Sequence, residues 1–107
     1  MTKCEFFRDH ERITGFSVSG HSGYAEAGSD IVCAAISAAV AMTETTINDV
    51  CGGKAKVRVK EADARITLTL PTACEEEDAI QAVLAGLMLY LISLRDDFED
   101  YIEVLEV

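Results

Sequence analysis

Residues 12–50 read RITGFSVSGHSGYAEAGSDIVCAAISAAVAMTETTINDV, and the apolar period changes once along them. At the start Thr14, Phe16 and Val18 alternate with Gly15, Ser17 and Ser19, the two-residue period of a half-buried strand over residues 12–19. Further on, Ile36, Val40, Thr43, Ile47 and Val50 recur at helical spacing. The pattern predicts a helix over Ile31–Val50, ended by Gly52-Gly53. Between strand and helix lies a loop carrying Gly20, His21, Gly23, Tyr24 and Gly28.

Outward from this unit the same patterns continue. Residues 2–8 form a strand, joined to the next by the polar RDHER of residues 8–12 as a hairpin connection. A second hairpin follows Gly53. In it Val57 and Val59 alternate with Lys56, Arg58 and Lys60, and Ile66, Leu68 and Leu70 alternate with Arg65, Thr67 and Thr69. Glu61-Ala62-Asp63 makes its turn. Pro71 stops the strand, and Thr72-x-x-Glu75 is a capping-box pattern that predicts a second helix from that point to about Leu94. Glu76, Glu77 and Asp78 suit its positive dipole end. A strand near Tyr101–Leu105 completes the order ββαββαβ. Such an order makes the fold α+β, with two helices packed on one face of a mixed or antiparallel sheet. The expectation is one domain over residues 1–107.

Composition narrows the class. Half the 107 residues are apolar and one is proline, which argues for a packed globule. The formal charge is −10, from 19 acids and 9 bases. Such a field disfavours direct nucleic-acid binding and would attract a basic partner, although acidity alone signifies no more than solubility. MTKCEFFRDHER has charges where a signal peptide needs an apolar core. The longest apolar run, Ala82–Ile92, has 11 residues, short of the ~20 that span a bilayer. The expectation is no membrane and a cytoplasmic protein with reduced cysteines. Because the second helix is apolar on nearly every face from Ala82, a homodimer is expected as well.

Cysteines 4, 33, 51 and 74 form no C-x-x-C pair, so no metal site is expected. One of them has the setting of a nucleophile. Ser29 or Asp30 is a good N-cap, which puts Cys33 in the first helical turn, where backbone amides and the dipole favour an anion. Those amides would also suit an oxyanion. His21 lies 12 residues upstream, on a loop that Gly20, Gly23 and Gly28 let fold back tightly. Against this, Cys33 shares the phase of the apolar stripe, where a cysteine packs as a small hydrophobe. Cys74 is the internal control: it too is expected in a first helical turn, but Glu75–Asp78 follow it and disfavour a thiolate. Cys4 and Cys51 read as packing residues.

Asp30 has three open roles: helix cap, orienter of the imidazole as in triads, or solvated acid. Ser37, one turn after Cys33, either bonds near the thiol or bonds a carbonyl of its own helix. Tyr24 either lines a substrate cleft or anchors the loop. Gly20-x-x-Gly23 lacks the lysine and hydroxyl of a phosphate-binding loop.

The stretch GHSGYAEAGSDIVCAAISA resembles the ribosomal-processing cysteine protease family, Prp. The family pattern is met at Gly20, His21, Gly23, Tyr24, Gly28, Asp30, Ile31, Val32, Cys33, Ala34, Ala35 and Ser37. Ser22 stands where relatives often carry alanine. The resemblance implies that Cys33 is the nucleophile and His21 the general base, with Asp30 and Ser37 in support and Gly20, Gly23, Tyr24 and Gly28 in a substrate loop. It implies as substrate a bacterial large-subunit ribosomal protein precursor with a short N-terminal extension, with no cofactor and a dimeric enzyme. The −10 charge would steer such a basic precursor. The rival reading is a non-enzymatic acidic module that binds a ribosomal protein or its precursor.

Overall fold

The computed structural model describes residues 1–26 and 28–107; residue 27 of the glycine loop lies outside them. Among the described residues there are five strands: β1 (Thr2–Asp9), β2 (Arg12–Ser19), β3 (Lys56–Lys60), β4 (Arg65–Thr69) and β5 (Ile102–Glu106). Two helices accompany them, α1 (Ile31–Thr45, continued by a widened turn over Thr46–Val50) and α2 (Glu77–Asp97). The sheet order is β3-β4-β2-β1-β5. Three neighbouring pairs are antiparallel, while β5 runs parallel to β1. The mixed α+β fold expected from the sequence is therefore present.

Register explains which face is covered. Phe6 pairs with Phe16 and Cys4 with Val18, and Phe16 and Val18 pair in turn with Leu68 and Ile66. These side chains fall on one face by strand alternation. Buried Val32, Ile36 and Val40 of α1, and Ile80, Leu84 and Leu91 of α2, join them in one core. The Phe6 and Phe16 rings lie 5.9 Å apart at its centre. The opposite face carries Lys56, Arg58, Lys60 and Arg65. On the edge strand β3 these charges discourage pairing with another chain. By length and composition alone both helices would pass as membrane spans, but each seats its large buried side chains in this core.

The sequence reading needs correction at the helix ends. Val50 is 75 % exposed, although the spacing placed it on the buried stripe. The hydroxyls of Thr43 and Thr46 bond back to the carbonyls of Ala39 and Met42, a competition that loosens a helical ladder. The Asn48 amide holds both the N–H and the carbonyl of Ala55, drawing the last turn towards β3.

The second helix starts at Glu77, and the Thr72–Glu75 capping box does not form; its N-cap, Glu76, makes no side-chain bond. Arg12 decides this from another strand. Its guanidinium donates to the Pro71 carbonyl at 2.7 Å and to Glu77 Oε1 at 2.5 Å, pinning the segment between them. The same guanidinium holds the Glu77 carboxyl below the usual carboxylate range. Cys74 consequently lies ahead of the helix, with its thiol 3.8 Å from the Gly53 carbonyl. Burial, then the Glu77 charge, raises that thiol above its ordinary range. Part of the expected reason therefore holds, through Glu77, but burial comes first, and Cys74 is not in a helical turn as the sequence suggested.

Candidate active site

A cleft of about 890 Å³ opens between α1, the glycine loop and the helix-covered face of the sheet. Val18 and Ile66 contribute its floor, Ile36 and Val40 its helical wall, and His21 and Cys33 both line it. The loop reaches this position through glycine backbones. Gly20, Gly23 and Gly28 have φ of 81°, 78° and 90°, the left-handed region that side chains with a Cβ avoid. At Gly20 a Cβ would in addition lie 2.8 Å from the Met1 carbonyl oxygen.

Cys33 stands in the first turn of α1, partly exposed, and its helix is capped by Asp30. Asp30 Oδ1 accepts the Cys33 amide at 2.9 Å, and the Asp30 carbonyl accepts the Ala34 amide at 3.1 Å. These two first-turn amides are therefore already engaged, which removes them from the oxyanion role the sequence suggested. Another amide approaches the sulfur: Ser22 N–H donates to Cys33 Sγ at 3.3 Å.

The other carboxylate oxygen of Asp30 accepts the Ser22 hydroxyl and, at 3.4 Å, the Ala25 amide. Burial works against the charge on Asp30. The Ser22 hydroxyl and the Cys33 and Ala25 amides outweigh it and bring the carboxyl down from 3.8 to about 2. Asp30 thus caps the helix and ties the loop by its second oxygen, touching the residue after His21. Among the described residues His21 is exposed and makes no hydrogen bond to Cys33 or Asp30.

Ser37 lines the same cleft one turn beyond Cys33. Among the described residues its hydroxyl makes no bond to its own helix, unlike Thr43 and Thr46, which leaves it facing the cleft. Tyr24 anchors the loop. Its ring packs edge-on against Phe98 and Tyr101, at centroid distances of 5.5 and 5.3 Å. Sequence reasoning passed over Ser22, which is buried although its neighbours in the loop are exposed. A serine eight residues before an N-cap aspartate was the available signal.

A sulfur at a capped helix start, facing an apolar cleft that also holds an imidazole, is the arrangement of a thiol hydrolase. Comparison with known proteins makes the class specific. The family model described as cysteine protease Prp matches residues 1–103. The chain belongs to this cysteine protease family. It is 24 % identical over 107 residues to the ribosomal processing cysteine protease Prp of Bacillus subtilis (strain 168), covering 97 % of this chain and 96 % of the relative. The crystal structure of the S. aureus ribosomal processing protease Prp with a covalently linked product peptide superposes with a TM-score of 0.89 at 18 % identity, covering both chains fully. SMU.848 from Streptococcus mutans has the same fold, with a TM-score of 0.87 at 19 % identity over 100 % of this chain and 94 % of that one.

Proposed function

We propose that this protease removes a short N-terminal extension from a basic large-subunit ribosomal protein precursor in the bacterial cytoplasm, with Cys33 as nucleophile and His21 as general base. The observation that carries the assignment is Cys33 itself. Of the four cysteines it alone combines a capped helix N-terminus, a backbone donor on its sulfur and a place in the cleft that His21 also lines. The relatives' names support ribosomal processing, and the large-subunit precursor with its N-terminal extension is what the family resemblance implies. The S. aureus enzyme is described with a substrate peptide, and the apolar groove here suits an extended segment of chain.

The chemistry follows from those groups. The Cys33 proton passes to the His21 imidazole, and the thiolate attacks the peptide carbonyl carbon. A C–S bond forms as the carbonyl π electrons move to oxygen. The tetrahedral intermediate expels the amine, which takes the proton from the imidazolium and leaves a thioester. Water, deprotonated by His21, then attacks the thioester, and collapse releases the acid and the thiolate. His21 meets the thiol when loop and substrate close together, since catalytic hydrogen bonds in unliganded sites are often long. Asp30 supports this by holding the helix start and loop, Ser37 by offering a hydroxyl in the cleft, and Gly20, Gly23, Tyr24 and Gly28 by shaping the substrate loop. No metal or organic cofactor is called for.

The −10 charge favours approach of a cationic precursor. A homodimer completes the reading. Leu89 and Tyr90 of α2, 62 % and 43 % exposed, and Met42 of α1, 71 % exposed, are apolar surface suited to a second copy. The test is incubation with an extended ribosomal-protein precursor, comparing the wild type with Cys33→Ala and His21→Ala. Processing should disappear with the first and fall by about 10²–10⁴ with the second. Normal processing by Cys33→Ala would remove Cys33 as the nucleophile, whereas binding of the precursor without cleavage by the wild type would leave the acidic binding module as the better description.

A further inference from the structure

We infer that Ser22 is a positioning residue for the thiol, a role that rests on Cys33 being the nucleophile. Ser22 is 2 % exposed, although His21, Gly23 and Tyr24 around it are exposed. Its hydroxyl donates to Asp30 Oδ2 and accepts the Tyr24 amide at 3.2 Å, so its bonding capacity is used in both directions. Its own amide donates to Cys33 Sγ, and Asp30 Oδ1 accepts the Cys33 amide. The result is a closed ring of three residues. Asp30 is fixed to α1 by the cap, Ser22 is fixed to Asp30 by the hydroxyl, and the Ser22 amide is thereby aimed at the sulfur.

Two consequences follow from that ring. An N–H aimed at the sulfur fixes its direction and sets a donor in place where charge is handled during attack, as charge-assisted donors do. The peptide bond that carries this N–H is also the carbonyl end of His21, so the same tether limits where the imidazole can go. With alanine at 22 the amide would remain, but its aim would depend on a glycine-rich loop with no side-chain tie at that point. The serine therefore replaces loop freedom with a fixed donor, a preorganisation expressed in the chemical step more than in substrate binding.

The experiment measures peptide hydrolysis and iodoacetamide labelling of Cys33 in Ser22→Ala, Ser22→Thr, Asp30→Asn and the Ser22→Ala/Asp30→Asn double variant of the full chain. Ser22→Ala should lower kcat about tenfold with KM changed less than about twofold, the signature of an interaction made in the transition state. Labelling of Cys33 near neutral pH should slow in parallel. Ser22→Thr, which keeps the hydroxyl, should recover most of both. The double variant should be no slower than the worse single one, because the two side chains act through one bond. Wild-type kcat and labelling in Ser22→Ala, or a kcat loss without a labelling loss, would overturn the inference. So would a threonine variant as slow as alanine. A Cys33→Ala enzyme that still cleaves would instead overturn the catalytic assignment on which it rests.

Discussion

The four thiols should differ in reactivity by an amount the structure allows to be worked out. Cys4 is fully buried, and burial pushes its thiol from 9.0 to about 12. Since the thiolate is the nucleophile, three pH units cost about a thousandfold in rate near pH 7.5 from ionisation alone. Access costs more, because a side chain with no exposed surface is alkylated only when the core opens. Cys74 should also be slow, since burial and Glu77 both raise it. Cys33, with a backbone donor on its sulfur and a cleft in front, should label first. Labelling with limiting iodoacetamide, stopped at intervals and read by peptide mass spectrometry, gives all four rates from one sample. Cys33 should lead, and Cys4 should trail by three orders of magnitude or more. Labelling of Cys4 within tenfold of Cys33 in folded protein would refute the reasoning.

The remaining expectations concern stability and the loop. Asp30 has a lowered folded-state pKa, so its contribution is present above its ordinary 3.8 and is lost as the pH falls through about 2. Thermal unfolding should therefore show wild type more stable than Asp30→Asn near neutral pH, with the gap closing on acidification across that window; a gap independent of pH would contradict the assignment. Phe16→Ala should cost about 3–5 kcal/mol in urea unfolding, since its ring is fully buried against Phe6. Arg12→Ala should cost about 1 kcal/mol, because the pair with Glu77 is partly screened by solvent, and should fray the start of α2 in amide exchange. Tyr24→Ala should speed exchange at residues 21–25 and leave the sheet unchanged, the loop having lost its edge-on contacts with Phe98 and Tyr101.

The order of elements could be read from the chain because each follows from spacing. Thr14, Phe16 and Val18 keep a period of two, and Ile36, Val40 and Thr43 a helical one, whatever packs on them. The Asp30 cap was legible for the same reason, being a bond between residues three apart. What escaped were effects imposed from far along the chain. The start of α2 is set by Arg12, 65 residues before Glu77, so local capping chemistry at Thr72 and Glu75 pointed to the wrong residue. Tyr24 had two open roles until Phe98 and Tyr101 were found beside it. Within the site, the loop and its cysteine were visible as a motif. The ring through Ser22 was not, because a serine buried by one carboxylate looks in sequence like any loop serine.

The parallel pairing of β5 with β1 sets the order in which the molecule can be made. Thr2 sits opposite Ile102 and Phe6 opposite Glu106, so this ladder joins positions 100 residues apart. Contacts of such separation close late and slow folding. Until β5 docks, the β1 edge is bare beside the strand that leads into the His21 loop. The scaffold behind the cleft is therefore complete only once β5 has docked on β1, and the site depends on a contact that spans nearly the whole sequence.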